Sequence, residues 1–227
     1  MDFFTTTYWQ AGQNHSALLL QQYRYRHTAI CLTAVCTGCN EAQGKACAYL
    51  TRQMLQWFRC LSFKQLARNP DSYLFALESS LQSLIKQLDS ELISCGFISQ
   101  ETFLPLSGIL CSDDHFLLFT RGKQHIYLLN KGFGQSCLQS LSDEMAAGQT
   151  SSDELILRQG ILQQDVGLLF GTDTFCKHLT DRELRECLYV EELQGQDRLT
   201  RRLRELGNRA ETLGGRDMAA VLLLTRN

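Results

Sequence analysis

Between Leu104 and Leu129 the chain carries three short apolar or alternating runs, Leu104 to Cys111, Phe116 to Phe119 and His125 to Leu129, separated by Asp113-Asp114 and by Arg121-Gly122-Lys123. Runs of this length and period, broken by turn residues, read as a three-stranded antiparallel meander. A meander has an apolar face that other elements must cover. Two strand-like runs precede it, Ala17 to Leu20 and Ala29 to Val35, and one more, Ala219 to Leu224, closes the chain. Ahead of the meander lie two long helical patterns, one through Ala46, Leu50, Met54, Trp57 and Leu61, the other through Leu74, Leu77, Leu81, Leu84, Leu88 and Leu92, with Asp71 after Pro70 as its start signal. Near the C-terminal end Thr180-Asp181-Arg182-Glu183 forms a capping box, and Leu199, Leu203, Leu206 and Ala210 mark a last amphipathic helix whose arginines face outward. This order predicts an α+β chain with a sheet-on-sheet core flanked by helices.

No Pro-, Gly- or Ser-rich stretch divides the 227 residues, so one domain spanning 1–227 is expected. A net charge of -2 with 20% charged residues describes an ordinary globular protein and argues against nucleic acid as a partner. Met1-Asp2-Phe3-Phe4-Thr5 lacks the basic and apolar regions of a secretory signal, and no apolar run reaches the ~20 residues of a membrane span. The expected address is therefore the cytoplasm, with no membrane partner. The ten cysteines are scattered through apolar segments, which predicts that most are reduced, buried small hydrophobes rather than parts of a disulfide scaffold.

Four local motifs, in order, carry a family resemblance. Gly122-Lys123-Gln124-His125-Ile126-Tyr127-Leu128 is similar to Gly-Asp-Ser-Arg-Ala-Tyr-Leu, and Leu168 to Thr174 resembles a Leu-Leu-Cys-Ser-Asp-Gly strand end. Leu179-Thr180-Asp181-Arg182-Glu183-Leu184 resembles the Leu-Ser-Asp-Glu-Glu-Leu helix start, and Gly214-Gly215-Arg216-Asp217 resembles Gly-Gly-x-Asp. Together they resemble the PPM (type-2C) metal-dependent Ser/Thr protein phosphatases across nearly the whole chain. The resemblance implies an α/β/β/α four-layer sandwich of two mainly antiparallel sheets flanked by helices. It also implies a two-cation centre whose bridging water attacks phosphorus, with Asp173 and Asp217 as metal ligands.

The chain departs from the family where the chemistry should be. Against Asp-Gly-Met-Gly-Gly it has Ala34-Val35-Cys36-Thr37-Gly38, so Val35, or Cys36 if shifted by one, replaces the Asp that touches both metals. Against Arg-x-x-Asn-Glu-Asp it has Ala11-Gly12-Gln13-Asn14-His15-Ser16, so Ala11 replaces the phosphate-gripping Arg and His15-Ser16 the acidic pair. Lys123 and Met218 stand at two further substituted positions. Two divalent cations about 4 Å apart repel by roughly 17 kcal/mol at an effective dielectric near 20, and carboxylates must offset that. Asp173 and Asp217 alone cannot. No cofactor is expected, and a single weakly held Mg²⁺ or Mn²⁺ ion is the most this set would hold.

Three functions follow. The first is a pseudophosphatase that binds a phosphoprotein or a Ser/Thr kinase of a signalling system and has no catalytic residue of its own. The second is an active, divergent Mg²⁺- or Mn²⁺-dependent phosphoprotein phosphatase. The third is a thiol- or zinc-dependent regulatory module built on the Cys-x-x-Cys pair Cys36 and Cys39, with His15 or Cys47 as residues that could approach in three dimensions. Against these stand plainer readings: turn-capping roles for Asp173 and Asp217, a chance Cys-x-x-Cys in a cysteine-rich chain, and a merely hydrogen-bonded His15.

Overall fold

The apolar run that closes the chain has no polar alternation because both of its faces are buried. In the computed structural model, which describes residues 1–10, 15–131, 136–146, 154–190, 193 and 195–226, it forms strand β10 (Ala219–Arg226). Its Ala220, Leu222 and Leu224 pack against helices, while Ala219, Val221 and Leu223 pack into a second apolar layer. Strand β3 (Thr28–Cys36) behaves the same way: Ile30, Leu32, Ala34 and Cys36 meet helices, and Cys31 and Val35 enter that shared middle layer. Two sheets back to back, each with helices outside, are what such doubly buried strands require.

Sheet order follows from hydrogen bonding. Strands β1 (Asp2–Trp9), β10, β9 (Gly167–Thr172), β6 (Gln124–Lys131) and β7 (Ser136–Ser140) form one five-stranded sheet. Strands β2 (Ala17–Tyr25), β3, β4 (Leu106–Ser112), β5 (His115–Arg121) and β8 (Ile156–Ile161) form the other. All the pairings among the described residues are antiparallel.

The helices sit where the periodicity places them. Helix α1 (Glu41–Arg59) starts at Asn40, whose side chain accepts from Gln43 N at 2.9 Å, and α3 (Pro70–Ser94) starts on a proline and buries Leu74, Leu77, Leu81, Ile85, Leu88 and Leu92. Ile85 takes the buried place, and its neighbour Leu84 packs at the margin. Helix α2 (Phe63–Arg68) links the two, and α4 (Leu141–Ala146) follows β7. On the other face α6 (Asp181–Cys187) has the expected capping box, and α7 (Gln196–Thr212) buries Leu199, Leu203, Leu206 and Ala210. Close contact of α7 with β1 depends on Gly207, where an added Cβ would lie 2.1 Å from the Tyr8 ring.

The meander is corrected. Strands β4 and β5 form the expected hairpin, with Asp113 at φ +48, but β6 leaves their sheet and pairs with β9 and β7 in the other. The break lies at Gly122, whose φ of +72 turns the chain out of plane. Arg121 before it is held in the first sheet by Leu104 O at 3.2 Å and by Asp89 of α3, with Nη2 to Oδ1 at 3.1 Å. Alternation predicts a strand but not its sheet, because both sheets present the same inner face to the same core.

Candidate functional site

One end of the sandwich gathers the ends of β3, β9 and the starts of β2, β6 and β10. Strand β9 stops at Thr172, whose hydroxyl accepts from Phe175 N at 3.2 Å and so caps the short helix α5 (Asp173–Cys176). Asp173 is the first residue of α5 and its carboxylate is half exposed. His125, on β6 across from Gly171, brings Nε2 to 3.1 Å from Asp173 Oδ1. Behind that ring lies Tyr127, parallel to it at 6.0 Å between centroids, whose phenol burial drives to a higher pKa.

Asp217 sits one turn before β10 with φ +53, in a bend that Gly214 enters at φ +94. Its backbone carbonyl accepts from two hydroxyls, Thr174 Oγ1 at 3.1 Å and Ser16 Oγ at 3.3 Å. Ala219 N in turn donates to Thr172 Oγ1 at 3.3 Å. These bonds bring the residues around Asp173, Asp217 and Ser16 to one place. Val35, fully buried, lies in the middle apolar layer with Ala219 and Phe170.

On the strand β3 side, Thr37 accepts from Gln124 Nε2 at 2.7 Å, and Gly38 N donates to His15 O at 3.0 Å. Gly44 of α1 comes so close to His15 that a Cβ there would stand 3.2 Å from its Cα. Two acceptors in this region, Asp217 Oδ1 and Gln124 Oε1, are buried without a hydrogen-bond partner among the described residues. A buried oxygen without a donor is costly, so both can take water or a cation.

The donor set does not fit a two-cation centre. Position 35 offers a valine, position 16 a hydroxyl already given to a backbone carbonyl, and the Asp173 carboxylate an oxygen shared with an imidazole. Among the described residues no three His, Cys, Asp or Glu side chains come together closely enough to hold a metal ion. Ala11 and Asn14 lie outside the described residues. Of the Cys-x-x-Cys pair, Cys39 is exposed and Cys36 is buried against a different sulfur, Cys47 of α1, at 3.2 Å. Strand alternation turns Cys36 toward α1, and Cys39 lies beyond the strand on the way to the Asn40 cap.

In the sequence His125 and Gln124 stand only as members of the Gly122–Leu128 motif, with no partner pattern, and Thr37 and Thr174 carry no signal as site residues. For His125 a signal existed: it stands opposite the Arg of the Gly-Asp-Ser-Arg-like motif, and only the β6–β9 register shows that it faces Asp173. Thr37 and Gln124 are 87 residues apart, and nothing local in either segment announces their contact.

No family model and no curated protein matches the sequence. Solved structures do match the fold. A serine/threonine phosphatase of S. agalactiae is similar over 100% of this chain and 99% of its own, with TM-score 0.67 and 13% identity. PppA, described as a key regulatory component of T6SS in Pseudomonas aeruginosa, is similar over 98% of this chain and 97% of its own, with TM-score 0.67 and 16% identity. The catalytic domain of the serine threonine protein phosphatase PstP, solved with 2 manganese ions, covers 99% and 97%, with TM-score 0.65 and 15% identity. Two five-stranded antiparallel sheets between helical layers, shared with these phosphatases end to end, give this chain the fold of the PPM Ser/Thr phosphatases.

Proposed function

We propose that this chain is a single-domain, catalytically impaired member of the PPM phosphatases, a pseudophosphatase that works by binding in a cytoplasmic phosphosignalling system. What supports this reading is position 35, which the resemblance aligns, with Cys36 if shifted by one, to the metal-bridging carboxylate of the family: its valine is wholly buried in the inter-sheet core. Around it the chain's own groups use what remains. His125 holds Asp173, and the Ser16 hydroxyl holds the Asp217 backbone. The partner is a phosphoprotein or a Ser/Thr kinase; a structural neighbour named as a regulatory component of a secretion system supports a signalling role. Among the described residues no helix is long and apolar enough to cross a membrane.

Asp173 and Asp217 hold at most one Mg²⁺ or Mn²⁺ ion, which would supply charge for anion binding. The buried, unpartnered Asp217 Oδ1 favours that single ion, and it is also the observation that favours the second reading, an active divergent phosphatase. Manganese titration by calorimetry, run beside a phosphopeptide hydrolysis assay, separates them. The native chain is expected to bind Mn²⁺ weakly or not at all and to release no phosphate, and a Ser16→Asp/Val35→Asp variant to bind Mn²⁺ at least tenfold more tightly. Manganese-dependent turnover by the native chain that disappears in Asp173→Asn would overturn the pseudophosphatase and establish the enzyme.

A further inference from the structure

The chemistry of the Cys-x-x-Cys segment is relocated by the fold. Cys36 is the last residue of β3, on the face that meets α1, and its Sγ lies 3.2 Å from Sγ of Cys47, two helical turns into α1. Both side chains are fully buried. A disulfide bond is about 2.05 Å long, so joining them requires the sulfurs to close by only about 1.2 Å, across a strand end and the first half of a helix. Cys39 is exposed on the turn between them.

We infer that Cys36 and Cys47 form a dithiol–disulfide site, oxidised by hydrogen peroxide, that fastens α1 to the end of β3 beside the candidate site. One thiolate attacks the peroxide oxygen, giving a sulfenic acid and releasing water once the departing hydroxide takes up a proton. The second thiol then attacks the sulfenic sulfur, the S–S bond forms, and a second water leaves. Two thiols and one peroxide thus become one disulfide and two waters. The hydrogen bond with Cys36, and burial after it, hold the Cys47 thiol well above its ordinary pKa, so the reaction runs on openings of the first turns of α1 and is slower than at exposed cysteines.

The placement sets the consequence. Val35 and Thr37 flank Cys36, Thr37 accepts from Gln124, and Gly44 on the same stretch of α1 packs on His15. A covalent link between Cys36 and Cys47 therefore ties together both walls of the candidate site, whichever function that site has. A second facing pair, Cys31 and Cys111, lies across the β3–β4 register in the middle layer, where closing the sulfurs would pull on two strands of a fully paired sheet.

The test uses the full chain, reduced and then treated with hydrogen peroxide at low micromolar protein, with disulfide mapping of the digested product and thermal melting of the intact one. The expected result is a Cys36–Cys47 linked peptide and a Tm raised by about 5 °C, both reversed by dithiothreitol and both lost in Cys36→Ser or Cys47→Ser. Cys39→Ser, at an exposed position, is expected to leave the link unchanged. A Cys36–Cys39 or Cys31–Cys111 link in place of this one, two reduced thiols at 36 and 47 after oxidation, or loss of the link in Cys39→Ser would each overturn the assignment.

Discussion

At position 35 a valine fills a fully buried place between two sheets, with Ala219 and Phe170 in the same apolar layer. A lone carboxylate there would be buried among apolar side chains, so Val35→Asp is expected to destabilise the chain by about 3 kcal/mol at neutral pH. Urea unfolding with and without manganese checks this. If Val35→Asp proves neutral without metal, the position is wetter than its packing allows. The candidate site is half legible in the sequence: Asp173 and Asp217 stand out through flanking motifs, whereas His125 reaches Asp173 only because β6 lies next to β9.

Among the elements, α7 shows how a small residue sets a packing distance. Gly207 costs the helix about 1 kcal/mol relative to alanine, yet it lets the Tyr8 ring, itself 5.7 Å from Phe175, lie against the helix backbone. Gly207→Ala therefore trades a propensity gain for overpacking and is expected to lower stability by about 1–2 kcal/mol. In a Tyr8→Ala background the same change is expected to stabilise by up to about 1 kcal/mol. A double-mutant cycle reads the sign reversal, and equal signs in both backgrounds would sink it. Element type was legible here: the apolar spacing of α1, α3, α6 and α7 is carried by local sequence. Strand β1 was missed because its threonines and half-buried residues, which cover only the edge of a sheet, lack an apolar run.

For the molecule as a whole, the middle apolar layer is shared by both sheets: it joins residues of β3, β4 and β5 to residues of β6, β9 and β10. Neither sheet can keep its inner face dry without the other, so unfolding is expected to be a single transition. Two tryptophans report on opposite sides, Trp9 on β1 at the edge of one sheet and Trp57 on α1 over the other. Single-tryptophan variants, Trp57→Phe and Trp9→Phe, are expected to give superimposable fluorescence transitions in urea. Midpoints that differ by more than experimental error would divide the chain into two cooperative units.

Periodicity, capping and turn residues are local properties, and through them the amino-acid order by itself determined the long helices, the capping box of α6 and the apolar core strands, though not edge strands such as β1. Partnership is non-local. That β6 crosses to the opposite sheet, that His125 meets Asp173, and that Cys36 meets Cys47 instead of Cys39 were decided only by the tertiary structure. The physical reason is the same in each case: a strand's two faces are set by its own residues, but the neighbour against which each face closes is set by how the whole chain excludes water from one shared core.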